Sequence, residues 1–175
     1  MAPHAGVSPG PSPGCSLRFY KLRGIMNLKN YTSSVPVERS IMMIEKLLMD
    51  AGATNISKSI NQESKEVDGI IFLINVNSKP ILFKLPSKTE QCFKIMMKEV
   101  SSRSAFKKEV ISNKRAQAQR TAWKLLFDWV SIQVSMIQIE QVELMEVFLP
   151  YAYDMQNDQT FFEKIKESGF KQLTA

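Results

Sequence analysis

Six cations, Lys107, Lys108, Lys114, Arg115, Arg120 and Lys124, are the residues of this chain whose type and spacing best suit chemistry. Arg103, Lys107 and Lys114 can share one edge of a helix, with Lys108 and Arg115, seven apart, on a neighbouring edge. Asn113, Gln117, Arg120 and Lys124 form a polar stripe beside them. Ammonium and guanidinium groups in such rows suit phosphate oxygens, and Asn and Gln add hydrogen bonds. The same pattern also fits a helix face that is merely solvated, or one that meets an acidic protein.

Charge along the chain favours this region. Residues 84–124 hold eleven basic and three acidic side chains, a balance of +8, whereas residues 125–175 hold three basic and eight acidic, a balance of −5. Such polarity steers an anionic partner to one end, and it also supports head-to-tail pairing of two copies. The net charge of the whole chain is +6.

Other chemistries find little to work with. The single histidine, His4, sits in a Pro/Gly/Ser-rich tail, which speaks against His-based zinc sites and against Ser-His-Asp or Cys-His catalysis. Cys15 and Cys92 lie in unlike contexts, one in that tail and one in a helical stretch, so no disulfide framework is expected and a reducing, cytoplasmic setting fits. Glu140, Glu143, Glu146, Asp154 and Asp158 are acids without the spacing of a Mg²⁺ site, and they read as charged surface. The seven glycines are scattered and form no phosphate loop. Asp68-Gly69 reads as a bulge or turn inside a strand. No enzyme, cofactor or metal is expected.

Both tryptophans, Trp123 and Trp129, fall in the helical stretch, on its apolar arc. Core packing is the better reading for each, although indoles can also stack on bases. Phe72 and Phe83 on adjacent strands read the same way.

The elements that must position these residues follow from periodicity. Trp123, Leu126, Phe127, Val130, Val134, Ile137, Gln141, Leu144 and Phe148 recur at helical steps, with only Gln141 breaking the apolar stripe, and Leu125, Trp129, Ile132, Met136 and Ile139 widen the arc. The spacing predicts one long helix over roughly 113–148, stopped by Pro150 and long enough to kink or to pair with a second copy of itself. Ahead of it, Ser34 and Pro36 open a helix whose buried stripe is Val37, Ile41, Ile44, Leu48 and Ala51, with Gly52 as its stop. Thr54–Ile60, Val67–Val76 and Ile81–Leu85 read as three strands of an antiparallel meander. Ser87-Lys-Thr-Glu90 and Thr160-Phe-Phe-Glu163 have the capping-box spacing of helix starts, and Gly169 ends the last helix. The order α-β-β-β-α-α-α predicts an α+β domain, a small sheet covered by helices, over 31–175. Residues 1–30 read as a disordered tail, with Met26 as the expected translation start. No apolar run approaches the ~20 residues of a membrane span.

The runs Tyr31-Thr-Ser-Ser-Val-Pro-Val-Glu38, Ile44-Glu-Lys-Leu-Leu48, Ala51-Gly-Ala-Thr54, Phe83-Lys-Leu-Pro86, Arg120-Thr-Ala-Trp123-Lys124 and Phe148-Leu-Pro-Tyr151 resemble a small-protein family carried by phages and prophage-like elements. The resemblance runs from about Tyr31 to the end. That family has no established activity, so the resemblance assigns no catalytic or binding residue. The expectation is a non-enzymatic, phage-type accessory protein that binds nucleic acid through the six cations. The alternative is a protein-interaction module, homodimeric through the long helix.

Overall fold

The computed structural model describes residues 28–98, 100 and 107–171. Its elements are α1 (Val37–Asp50), β1 (Asn55–Ile60), β2 (Val67–Val76), β3 (Lys79–Pro86), α2 (Thr89–Met97), α3 (Lys108–Gln138) and α4 (Leu144–Phe148). A 3₁₀ turn (Leu149–Tyr151), the two-residue strands β4 (Tyr153–Asp154) and β5 (Gln159–Thr160), and α5 (Phe161–Glu167) complete the chain. The fold is α+β, with a three-stranded antiparallel sheet in the order β1-β2-β3. The β4–β5 hairpin is an addition to the expected order.

Alternation sets the sheet's faces. Ile70, Phe72 and Ile74 on β2 stand opposite Leu85, Phe83 and Ile81 on β3, and they turn inward together. Above them sit Ile41, Ile44 and Leu48 of α1, Trp123, Val130 and Val134 of α3, and Phe148 of α4, in one core. Asn77 and Ser78 both take positive φ, at 50° and 63°, and make the two-residue hairpin between β2 and β3. Pro80 is therefore inside β3 rather than in the turn, which an edge strand tolerates because one side of its backbone has no neighbour. The edge is closed further along by the C-terminal segment. Ala152 bridges Phe83, and Phe161 N–H donates to the Ala152 carbonyl at 2.7 Å.

Ser59 pairs with Gly69 and Ile60 with Val67, so Asp68 is the extra residue of a β-bulge. A Cβ on Gly69 would lie 2.9 Å from the Leu85 carbonyl oxygen, a backbone atom held by strand pairing. We expect Gly69→Ala to destabilise the fold by about 1–3 kcal/mol, because strain between paired strands outweighs alanine's lower backbone entropy. Urea denaturation measures this, and a neutral or stabilising result would mean the two strands part freely at the bulge.

The helices depart from expectation at their ends. α1 starts at Val37 with Pro36 as cap residue, and Ser34 makes no capping bond. α1 ends as expected at Gly52, whose φ is 94°, with Ala53 N–H reaching the Leu48 carbonyl and Gly52 N–H that of Met49. α3 ends by the same pairing of bonds: Gln141 N–H to Met136 O and Glu140 N–H to Ile137 O. There the left-handed position is filled by Glu140, at φ 57°, and not by glycine. The long helix thus starts at Lys108 and stops ten residues short of Phe148. Ser87-Lys-Thr-Glu90 does not form a capping box. Lys88 adopts φ 51°, and Ser87 is buried with its N–H on the Asp68 carbonyl at 2.8 Å. The Thr160–Glu163 box does form.

Leu28, Lys29 and Asn30, read from the sequence as the end of the tail, belong to the folded body. Residues 1–27, with His4, Cys15 and Met26, lie outside the described residues, as does Arg103. Cys92 is buried against α3, and burial pushes its thiol up, away from nucleophilic reactivity. Among the described residues no helix is long and apolar enough to cross a membrane.

Candidate nucleic-acid interface

α2 packs along the first half of α3, with Cys92 and Met96 against Ala118 and Ala122. Lys88, just before α2, shares a cleft with Trp129, whereas Phe93 lies under Arg115. Arg115, two turns into α3, meets α2 through both Glu90 and Phe93. Lys94 and Lys98 on α2, and Lys107 and Lys108 at the start of α3, are all four exposed. Among the described residues none of the four side chains makes a hydrogen bond or an ion pair.

The rest of the expected site is engaged with the protein itself. Residues 28–34 cross α3 as a strap, held by the stripe that was read as phosphate-binding. Lys114 Nζ donates to the Tyr31 hydroxyl at 2.6 Å and lies over the Tyr31 ring. Gln117 Nε2 donates to the carbonyls of Tyr31 and Ser33 at 2.8 and 3.0 Å. Arg120 Nε donates to the Ser33 carbonyl at 3.3 Å, and its Nη2 to Gln117 Oε1 at 2.6 Å. The buried Thr121 hydroxyl donates to the Asn30 carbonyl at 3.0 Å. The strap's backbone lacks a strand or helix of its own here, so side chains satisfy its carbonyls.

Two more of the six cations are neutralised. Arg115 Nη1 meets Glu90 Oε1 at 2.6 Å and its guanidinium stacks over Phe93. Lys124 pairs with Asp128 one turn on and lies over Phe127. Asp128 also accepts from Asn30 Nδ2 at 2.9 Å and faces Lys29 at 3.3 Å, which ties it to the strap. Of the six residues singled out, only Lys107 and Lys108 have side chains without a partner among the described residues. The sequence reading missed Lys94 and Lys98, although with Gln91 their spacing puts them on the outer face of α2.

Burial of Asp128 works to raise its carboxyl pKa, but hydrogen bonds from Lys124 and Asn30, with the nearby lysine charges, outweigh it and hold the carboxyl below its usual range. A depressed folded pKa stabilises above the ordinary aspartate value of about 3.9, and the contribution is lost as pH falls through the folded value. Acidification below about pH 4 is thus expected to loosen the strap, and Asp128→Asn to remove part of that pH dependence. Thermal melts of both proteins across this range measure it. Parallel curves would show that Asp128 is not the strap's acid-sensitive anchor.

The acids of the C-terminal third serve the fold. Glu146 Oε2 accepts from Glu143 N–H at 2.8 Å, and Asp154 accepts from Gln156 N–H and Asn157 Nδ2. Asp158 takes Lys84 Nζ at 2.8 Å and the Tyr153 hydroxyl at 2.6 Å, and these two partners hold its carboxyl below the usual range. Among the described residues no group of three or more potential ligands could hold a metal ion. Phe72 and Phe83 are fully buried and stacked at 5.2 Å, which leaves no open aromatic sheet face. Trp123 is buried, while Trp129 lines a cleft. Compared with known protein families, with curated proteins and with solved structures, the chain matches none of them.

Proposed function

We propose that this chain is a non-enzymatic accessory protein of phage type that binds nucleic acid through the exposed lysines of the α2–α3 pair. One observation carries the reading: Lys94, Lys98, Lys107 and Lys108 are exposed, and among the described residues their side chains have no partner. Cations already satisfied by the protein gain little from phosphate, whereas free ones release counterions from the polyanion. Cytoplasmic action fits a buried, reduced Cys92. Filter binding of labelled DNA and RNA over a salt series tests the proposal. Affinity is expected to fall steeply with salt, and no binding even at low salt overturns it.

A second reading, a homodimer through the long helix, draws on Ile132 and Ile139, which are 52% and 73% exposed on the stripe that continues from Trp129. Light scattering decides it: a monomer at high concentration removes this reading, and Ile139→Asp should dissociate a dimer.

A further inference from the structure

A cleft of about 460 Å³ opens where the start of α2, the middle of α3, the 3₁₀ turn and α5 meet, with Trp129, Tyr151 and Phe162 on its walls and Lys88 at its rim. Its size is that of a small-ligand site, and its walls are mostly apolar. Trp129 and Tyr151 are in tilted contact, with ring centroids 5.4 Å apart. Phe162 is 49% exposed, an unusual position for a phenylalanine that serves only the core.

Two charged groups border the cleft. Glu163 is committed to the start of α5, where its Oε2 accepts from Thr160 N–H and Oγ1, both at 2.9 Å. The Lys88 side chain makes no hydrogen bond or ion pair among the described residues, although its charge is felt by Glu163. A ligand here therefore meets aromatic walls and one cation with free donors. From Lys88 the exposed face of α2 continues through Gln91 and Lys94 to Lys98. An aromatic cleft thus opens onto a basic track.

We infer that the Trp129–Tyr151–Phe162 cleft receives an unstacked base of a single-stranded nucleic acid, whose backbone follows Lys88, Lys94 and Lys98 along α2. The inference rests on the nucleic-acid reading above and narrows it to single strands. Bases in a duplex are stacked on their neighbours and cannot enter the cleft, whereas any base of a single strand presents a π-face to an aromatic wall. The preference arises from stacking, so it holds for many sequences.

The test is a titration of the full chain with oligo(dT) and with a duplex of equal length. Trp129 emission reports the cleft, and fluorescence anisotropy of labelled strands reports binding itself. Trp123, 1% exposed in the core, supplies a constant background. Oligo(dT) is expected to quench the emission, the duplex to bind without quenching, and Trp129→Phe to lose the signal. Phe162→Ala should weaken oligo(dT) binding about tenfold, the loss of one base stack, with duplex affinity and melting temperature little changed. Salt-sensitive binding of both probes with no quenching, and with Phe162→Ala indifferent, overturns the cleft's role and leaves the lysine reading standing. Failure of both probes to bind removes the two together.

Discussion

Phe148→Ala is expected to lower stability by about 3–5 kcal/mol, the usual range for emptying a fully buried aromatic site. Phe148 is 0% exposed and makes edge contacts with Phe72, Phe83 and Trp129, at ring centroid distances of 5.7, 6.2 and 5.7 Å. One ring thus joins the sheet, the long helix and the short α4. The polypeptide beyond α4 returns to β3 through Ala152 and through the Lys84–Asp158 pair. That pair is exposed on the aspartate side and contributes little by itself. Loss of the ring should therefore loosen the C-terminal unit before the sheet melts. Hydrogen exchange should accelerate at Phe161, whose N–H bonds Ala152, before it does at Phe72. Phe161→Ala, at a site 38% exposed, should cost far less. A loss under about 1 kcal/mol for Phe148→Ala would mean that the aromatic contacts are not what anchors this end.

Charge reversal at Lys94, Lys98, Lys107 and Lys108 is expected to abolish nucleic-acid binding. Four phosphate contacts give a slope of log affinity against log salt near −2.8 for single strands or −3.6 for duplex DNA, about −0.7 and −0.9 per contact. Between roughly 50 and 200 mM salt this amounts to a loss of about 50- to 150-fold. Arg120→Ala provides the contrast. Arg120 holds the strap through Ser33 and Gln117, so its removal should lower the melting temperature and leave the salt slope unchanged. A flat salt profile, or an equal fall in slope for Arg120→Ala, would contradict this division between free and engaged cations.

The features legible from residue order are those decided by near neighbours. The β2 segment was readable from end to end, since a run of β-branched and aromatic residues bounded by polar turns needs no distant partner to be recognised. Gly52 and Gly169 marked helix ends because φ values of 94° and 68° favour a residue without a Cβ. The Thr160–Glu163 box closes within four residues. The end of α3 was hidden for the converse reason. Its left-handed position is held by Glu140, and the apolar stripe resumes at Leu144 and Phe148, so that Gln141 was its sole interruption. Ser87-Lys-Thr-Glu90 has the letters of a capping box, but Ser87 is drawn into the sheet by Asp68 and Glu90 is taken by Arg115.

The amino-acid order by itself determined the α+β class, the meander, the inward faces of the main helices and the excess of cations between residues 84 and 124. Only the tertiary structure decided which of those cations are free. Lys114, Gln117, Arg120, Thr121 and Asp128 bind a strap more than eighty residues earlier in the chain, and Arg115 binds a carboxylate twenty-five residues away. A helical wheel shows which side chains share a face. It cannot show what covers that face, because the covering segment is chosen by long-range packing and by the need of its bare carbonyls for donors.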